Sequence, residues 1–266
     1  MEDAVQALLA LKLWVVGLWL IFVFVVERLL PRARPRRDEG PLGWRRLGRN
    51  AGLWLANVGL SPLIVVPVTY LAATNSLGWR DALAWPDWWS DWYTLLIDLV
   101  LLDLFIYWWH RANHEIPFLW RFHHVHHLDE FLDSTSAVRF HFGEVVFSAL
   151  VRALFIILLD IPLAAALLFE TLLLAAAIFH HSNVALPRWF ERPLSMVIIT
   201  PSIHWVHHHA IRRDTDSNYG TLFSFWDRMF ASRSRTQRTP DMPIGVERRH
   251  DESLPSLFVA PFRERN

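Results

Sequence analysis

From Leu53 to Ala73 the chain carries no charged residue, and two further stretches are nearly as bare. Leu13 to Leu30 is uncharged until Glu27 and Arg28, and Tyr93 to Trp109 holds only Asp98 and Asp103. About 20 consecutive apolar residues cross the hydrocarbon core of a bilayer, where a spanning segment must satisfy its own backbone polar groups. The three stretches are therefore read as spanning helices. The segment ahead of the first is acidic, with Glu2 and Asp3, and no small-residue cleavage site follows it, so an anchor is expected rather than a cleaved signal.

Arginine counts orient these spans. Between the first and second lie Arg32, Arg34, Arg36, Arg37, Arg45, Arg46 and Arg49, whereas Thr74 to Trp92 holds only Arg80. The positive-inside rule puts the first loop in the cytoplasm and the second on the other side. Trp79, Trp85, Trp88, Trp89 and Trp92 in the second loop fit an interfacial aromatic belt. A fourth apolar region, Glu144 to Phe179, is divided by Asp160-Ile161-Pro162. Proline interrupts a helix and biases the residue before it away from one, so a helical hairpin split at Pro162 is expected. Arg152 and Glu170 lie awkwardly within it and point to a short, tilted or re-entrant form. The expected fold is all-α and integral to the membrane, with about four transmembrane helices and a cytosolic, His-rich helical cap. It reads as a single membrane domain over 1–266: spans and loops over 1–109, a di-metal region over 110–231 containing the 144–179 hairpin, and a loose polar tail over 232–266.

Of 14 histidines, only His250 lies outside the stretch from His110 to His209. Eight form three tracts: His110 with His114, His123 with His126 and His127, and His204 with His207 and His208. Residues three or four apart share a helix face, so each tract is expected to aim its imidazoles at one ion. Neutral imidazole suits iron, zinc, copper and nickel, and eight nitrogens exceed what one four- to six-coordinate ion uses, so two metals are implied. His124 and His209 adjoin tract positions but point elsewhere on a helix, and His250 sits in the polar tail. Asp103 precedes His110 by about two helical turns on nearly the same face, which leaves open a carboxylate of the site or substrate cavity, or an inter-helix pair with an arginine. With no cysteine in the chain, disulfides, zinc fingers, thiolate-held iron–sulfur clusters and cysteine nucleophiles are excluded.

These tracts, with what surrounds them, resemble the fatty acid hydroxylase / sterol desaturase superfamily of integral-membrane di-iron oxygenases. The likeness runs from about Asp103 to Phe230. It rests on His110-Arg-Ala-Asn-His114, Trp120-Arg-Phe-His-His-Val-His-His127, Arg139-Phe-His141 with Glu144, His181-Ser-Asn183 before Leu186-Pro187, Pro201 with the last tract, Asn218-Tyr-Gly220, and Trp226-Asp-Arg-Met-Phe230. By position the resemblance implies metal ligation by His110, His114, His123, His126, His127, His204, His207 and His208, with His181 as a ninth and His180 as the alternative to it. His141, His124 and Asp103 stand as additional ligands or as residues holding the ligands. Asn218-Tyr-Gly220 is read as a turn, since Asn and Gly tolerate left-handed backbone. This chain has Phe-Ala-Ser at 230–232 where many relatives have Phe-Gly-Thr.

The resemblance also implies two iron ions, with zinc able to replace them on purification, O2 as co-substrate, and hydroxylation or desaturation of an unactivated C–H bond in a lipid or sterol-like substrate. No flavin fingerprint, cytochrome-like segment or cysteine cluster is visible, so electrons are expected from a separate ferredoxin or cytochrome b5-type donor. A zinc-dependent intramembrane hydrolase is the alternative enzyme, but neither His-Glu-x-x-His nor Gly-x-Ser-x-Gly occurs, and Glu144 is the one evident base. A non-enzymatic metal transporter would place its ligands at mid-membrane, not beyond helix ends. The 26 basic and 26 acidic residues balance, and the basic clusters fit anionic headgroups rather than nucleic acid.

Overall fold

A computed structural model describes residues 2–34, 43–80, 82–83 and 90–263. Arg36, Arg37, Trp85, Trp88 and Trp89, used above for orientation and the aromatic belt, lie outside the described residues. Twelve α-helices are described and no strand longer than an isolated bridge. Four are long and apolar enough to cross a membrane: α1 (Glu2–Leu29) from Ala10, α4 (Asp91–Glu115), α6 (Phe142–Leu159) and α7 (Leu163–His181). The chain is thus a multi-pass membrane protein.

The uncharged run at 53–73 is not one straight helix. Ser61 and Pro62 interrupt it, giving α2 (Trp44–Leu60) and α3 (Val65–Thr74), bent by 45°. Proline lacks the amide a helix interior needs, which accounts for the break. The bent pair still joins the two ends of the bundle. At one end Glu27, near the close of α1, accepts from Ser134 and Asn183, and Arg46 and Asn50 of α2 donate to Asp129. At the other end Trp79 donates to the Leu158 carbonyl, and the Arg80 amide donates to Asp160. The chain leaves α1 at the first end and enters α4 at the second, so α2 and α3 together run the length of the bundle and are a candidate fifth span.

The hairpin is full-length rather than short or re-entrant. Helices of 18 and 19 residues extend about 27 Å at 1.5 Å per residue. Asp160 closes α6 in left-handed backbone at φ 56°, and Pro162 opens α7. Arg152 and Glu170 are accommodated by pairing with each other at 2.9 Å. Inside the bundle, Leu102, Ile156, Ile161 and Phe169 pack with small Ala165 and Ala166, which let the helices approach. Outward, Trp14, Leu18, Ile21, Leu96, Leu150 and Leu154 remain exposed, an apolar perimeter suited to lipid.

Short helices form the cap where α1, α4 and α7 end and α2 and α6 begin: α5 (Pro117–His127), α8 (Arg188–Leu194), α9 (Pro201–His207), α10 (Arg212–Thr215) and α11 (Phe225–Met229). The described part of the tail, residues 233–263, is packed onto this cap, contrary to the expectation of a loose terminus. Ile244 bridges to His209 and buries with Met242 against Trp205 and Val206. In α12 (Leu254–Val259), Leu257 is fully buried with Leu53, Val125 and Leu128. The apolar signal, Met242, Ile244 and Val246 and then Leu257-Phe258-Val259-Ala260, is short and set among charged residues, which hid it.

Candidate metal centre

The nine histidines His110, His114, His123, His126, His127, His181, His204, His207 and His208 converge where α4, α5, α7 and α9 meet. They form two groups, each with its ligand-type atoms within 4.8 Å of one another. The first comprises His110, His114, His123, His127 and His207; the second, His126, His181, His204 and His208. The tracts do not each serve one group, as the spacing alone suggested. Pairs four apart stay together (110/114, 123/127, 204/208), while His126 and His207, three from their tract's first histidine, join the other group. At about 100° per residue, positions i+3 and i+4 diverge by about 100° on the helix. One tract therefore feeds two neighbouring centres.

Within the groups the Nε2 atoms face each other. His204 lies 2.9 Å from His181 and 3.2 Å from His208; His181 is 3.1 Å from His126, and His127 is 3.2 Å from His123. Nitrogens bound to one ion at about 2.0–2.1 Å stand roughly 3 Å apart when adjacent. The spacing fits a shared cation.

In five of the nine, the opposite ring nitrogen makes the same case. Nδ1 of His110 donates to the Tyr219 carbonyl at 2.9 Å, His126 to Arg139 at 3.0 Å, His181 to Ala177 at 2.8 Å and His207 to Ser217 at 2.7 Å. His123 Nδ1 donates to Glu144 Oε1 at 2.7 Å. A proton committed to Nδ1 leaves the Nε2 lone pair free and fixes its direction. Among the described residues, the Nε2 atoms of His207 and His114 are buried with no hydrogen-bond partner, while His114 Nδ1 faces Asp216 Oδ1 at 3.4 Å. Burial, and then the charge that neighbouring imidazoles would carry, holds His126, His127, His204, His207 and His208 well below the ordinary pKa of 6.5. These are neutral imidazoles, the form that ligates.

Other candidates are placed differently. His180 belongs to neither group; its ring lies 4.0 Å from that of His204. His141 uses both nitrogens structurally, accepting from the Gly143 amide and donating to the Phe258 carbonyl, each at 3.0 Å. His124 turns back to the Arg121 carbonyl at 2.6 Å, and His209 pairs with Asp214 at 2.8 Å. His250, 88% exposed, meets Glu130 at 2.9 Å. Among the described residues, Asp103 makes no contact with the imidazoles and pairs with no arginine. It accepts from the Leu222 and Phe223 amides, both at 3.1 Å, and from the Trp226 indole at 2.8 Å. That clamp fixes the loop whose Tyr219 carbonyl holds His110. Asn218 does take left-handed backbone at φ 53°, yet the element also seats the Tyr219 ring 5.3 Å from His114, so it is more than a turn.

Sequence reasoning missed two supports. Arg139 donates to the Val125 carbonyl at 3.0 Å while its own carbonyl holds His126, and Asp251 clasps its guanidinium through both carboxylate oxygens. Arg139 stood inside a recognised motif; nothing in the tail's composition pointed to Asp251. A cavity of about 410 Å³ opens from these histidines into the bundle, lined by His110, His123, His126 and His181 at one end and by Val58, Val65, Leu173 and Leu174 along its wall.

Compared with known proteins, residues 95–232 match the family described as fatty acid hydroxylase. The chain is 28% identical over 178 residues to the ornithine lipid hydroxylase OlsE of Rhizobium tropici, covering 67% of this chain and 53% of that protein. It is 32% identical over 157 residues to alkylglycerol monooxygenase of Danio rerio, covering 56% and 32%. To the fatty acid hydroxylase vlmA of a Lecanicillium species it is 26% identical over 250 residues, covering 85% and 63%. The chain thus spans about half or less of the first two relatives. No solved structure matches.

Proposed function

The chain belongs to the fatty acid hydroxylase family, and we propose that it is a membrane oxidoreductase that holds two iron ions and uses O2 to hydroxylate or desaturate an unactivated C–H bond of a lipid. The observation that carries this reading is the pair of adjacent all-imidazole groups opening onto an apolar cavity. Neutral imidazole donors suit iron among the first-row cations that take them, and OlsE and alkylglycerol monooxygenase, both named for oxidation of a lipid, support a lipid substrate. His110, His114, His123, His127 and His207 would hold one ion, and His126, His181, His204 and His208 the other. Bound iron would supply the one-electron chemistry that activates O2 and breaks the C–H bond.

The chain's own residues bind, orient and shield. Glu144 and the carbonyls of Tyr219, Arg139, Ala177 and Ser217 fix the imidazole planes. Trp120, 8% exposed, lies 5.0 Å from His114 and 5.4 Å from His127 and closes the first group from water. The apolar cavity wall aligns a hydrocarbon against the groups and excludes water, as a reactive oxidant requires. Hydroxylation consumes one O2, two electrons and two protons per C–OH formed and releases one water, so a separate ferredoxin or cytochrome b5-type donor is needed. The arginines from Arg32 to Arg49, before α2 and in its first turns, against the single Arg80 of the opposite loop support a cap on the cytoplasmic side.

Iron-loaded protein with reductant and a lipid extract should consume O2 and add oxygen to, or remove hydrogen from, a lipid, as read by mass spectrometry. Turnover that persists under strict anoxia would overturn the reading.

A further inference from the structure

The cavity has a second polar end. Arg152 and Glu170 line it from the middle of the α6–α7 hairpin. Lys12 of α1 approaches the same Glu170 at 3.8 Å. Charge within a membrane domain is costly and persists where it pairs or meets a ligand. Pairing accounts for only part of this cluster. Among the described residues two cations share one carboxylate, which leaves a positive charge in excess, and Arg152 Nε is buried with no acceptor. Ser148, one turn before Arg152 on the same helix face, also lines the cavity. Along α6, eight residues separate Arg152 from Glu144, the support of His123, which is about 12 Å of helix or roughly ten extended C–C bonds. Between the two ends the wall is apolar, from Val58, Val145, Leu173 and Leu174.

We propose that Arg152 forms a headgroup subsite for the anionic end of a single-chain amphiphile, seated in the membrane-buried floor of the cavity. The hydrocarbon then runs along the apolar wall and presents a carbon remote from the head to the imidazole groups. Lys12, behind Glu170, supplies the excess charge that favours an anion over a neutral or cationic head. The proposal rests on the cavity being a lipid site, and it adds which end of the lipid lies where.

The test is displacement of a fluorescent fatty acid from the detergent-solubilised full chain by hexadecanoate, hexadecanol and hexadecylammonium, which differ in the head alone. Hexadecanoate should bind about tenfold or more tighter than hexadecylammonium, as expected for a charge-assisted contact. Arg152→Gln should abolish that preference and Arg152→Lys should retain it. Lys12→Gln, at a 28% exposed side chain, should weaken it and serves if Arg152→Gln fails to fold. No preference in the wild type, or a preference surviving both Arg152→Gln and Lys12→Gln, overturns the proposal. Binding needs neither metal nor oxygen. An intact acid preference without O2-dependent product would therefore sink the oxidation reading alone, and oxidation beside the head in iron-loaded protein would sink the subsite alone.

Discussion

His126 and His127 are consecutive in the chain, yet their imidazoles belong to different groups, with ring planes 90° apart and centroids 5.4 Å apart. His126 reaches His181 of α7, while His127 turns to His123 and stacks on His208 at 4.2 Å. Neighbouring residues on a helix point about 100° apart, and α5 uses that divergence to stand between two centres and contribute to both.

Orientation of His123 depends on Glu144. Glu144→Gln keeps the size of the side chain but removes the charge that fixes the Nδ1 proton. Metal affinity of the first group should fall about 10- to 100-fold, the usual effect of losing such a support. Chelator competition on purified protein reads it, and unchanged affinity would mean that Glu144 does not orient His123.

The C-terminal segment reaches the second group through Arg139. Asp251→Asn should loosen the turn that carries the Arg139 carbonyl, which accepts from His126. A drop in second-group metal affinity is expected, of about 10-fold or more, with the first group little changed. The family match ends at residue 232, so this contribution comes from outside the matched region.

Asp103 holds three N–H donors with two oxygens. Asp103→Asn turns an amide NH2 toward one of them, and the loss should be about 1–3 kcal/mol. A lower melting temperature in detergent, together with weaker metal retention at His110, is the expected result. A melting temperature equal to the wild type would remove the clamp from the account.

Much of the fold was legible because a bilayer leaves few choices: apolar runs become helices, and Pro162 divides the hairpin where the sequence suggests. The break at Ser61-Pro62 was legible in the same proline but masked by the unbroken lack of charge around it. Arg152 and Glu170 looked awkward singly because the sequence does not show that the hairpin sets them face to face. The histidine tracts pointed to a site able to hold metal, and the fold does gather them. Their division into two groups was not legible from tract spacing, which places i+3 and i+4 on one broad face; it takes the packing of α4, α7 and α9 around α5 to resolve them. Asp103 and Asp251 act through long-range contacts, and their roles became visible with the fold.

The most direct test of the central claim is iron content per chain in detergent-purified protein loaded anaerobically, for wild type, His114→Ala and His181→Ala. Two separate imidazole groups predict about two irons in the wild type and about one in each variant, with the surviving site differing between them by Mössbauer spectroscopy. Folded wild-type protein that takes up no iron, or a single ion lost equally in both variants, would contradict the account.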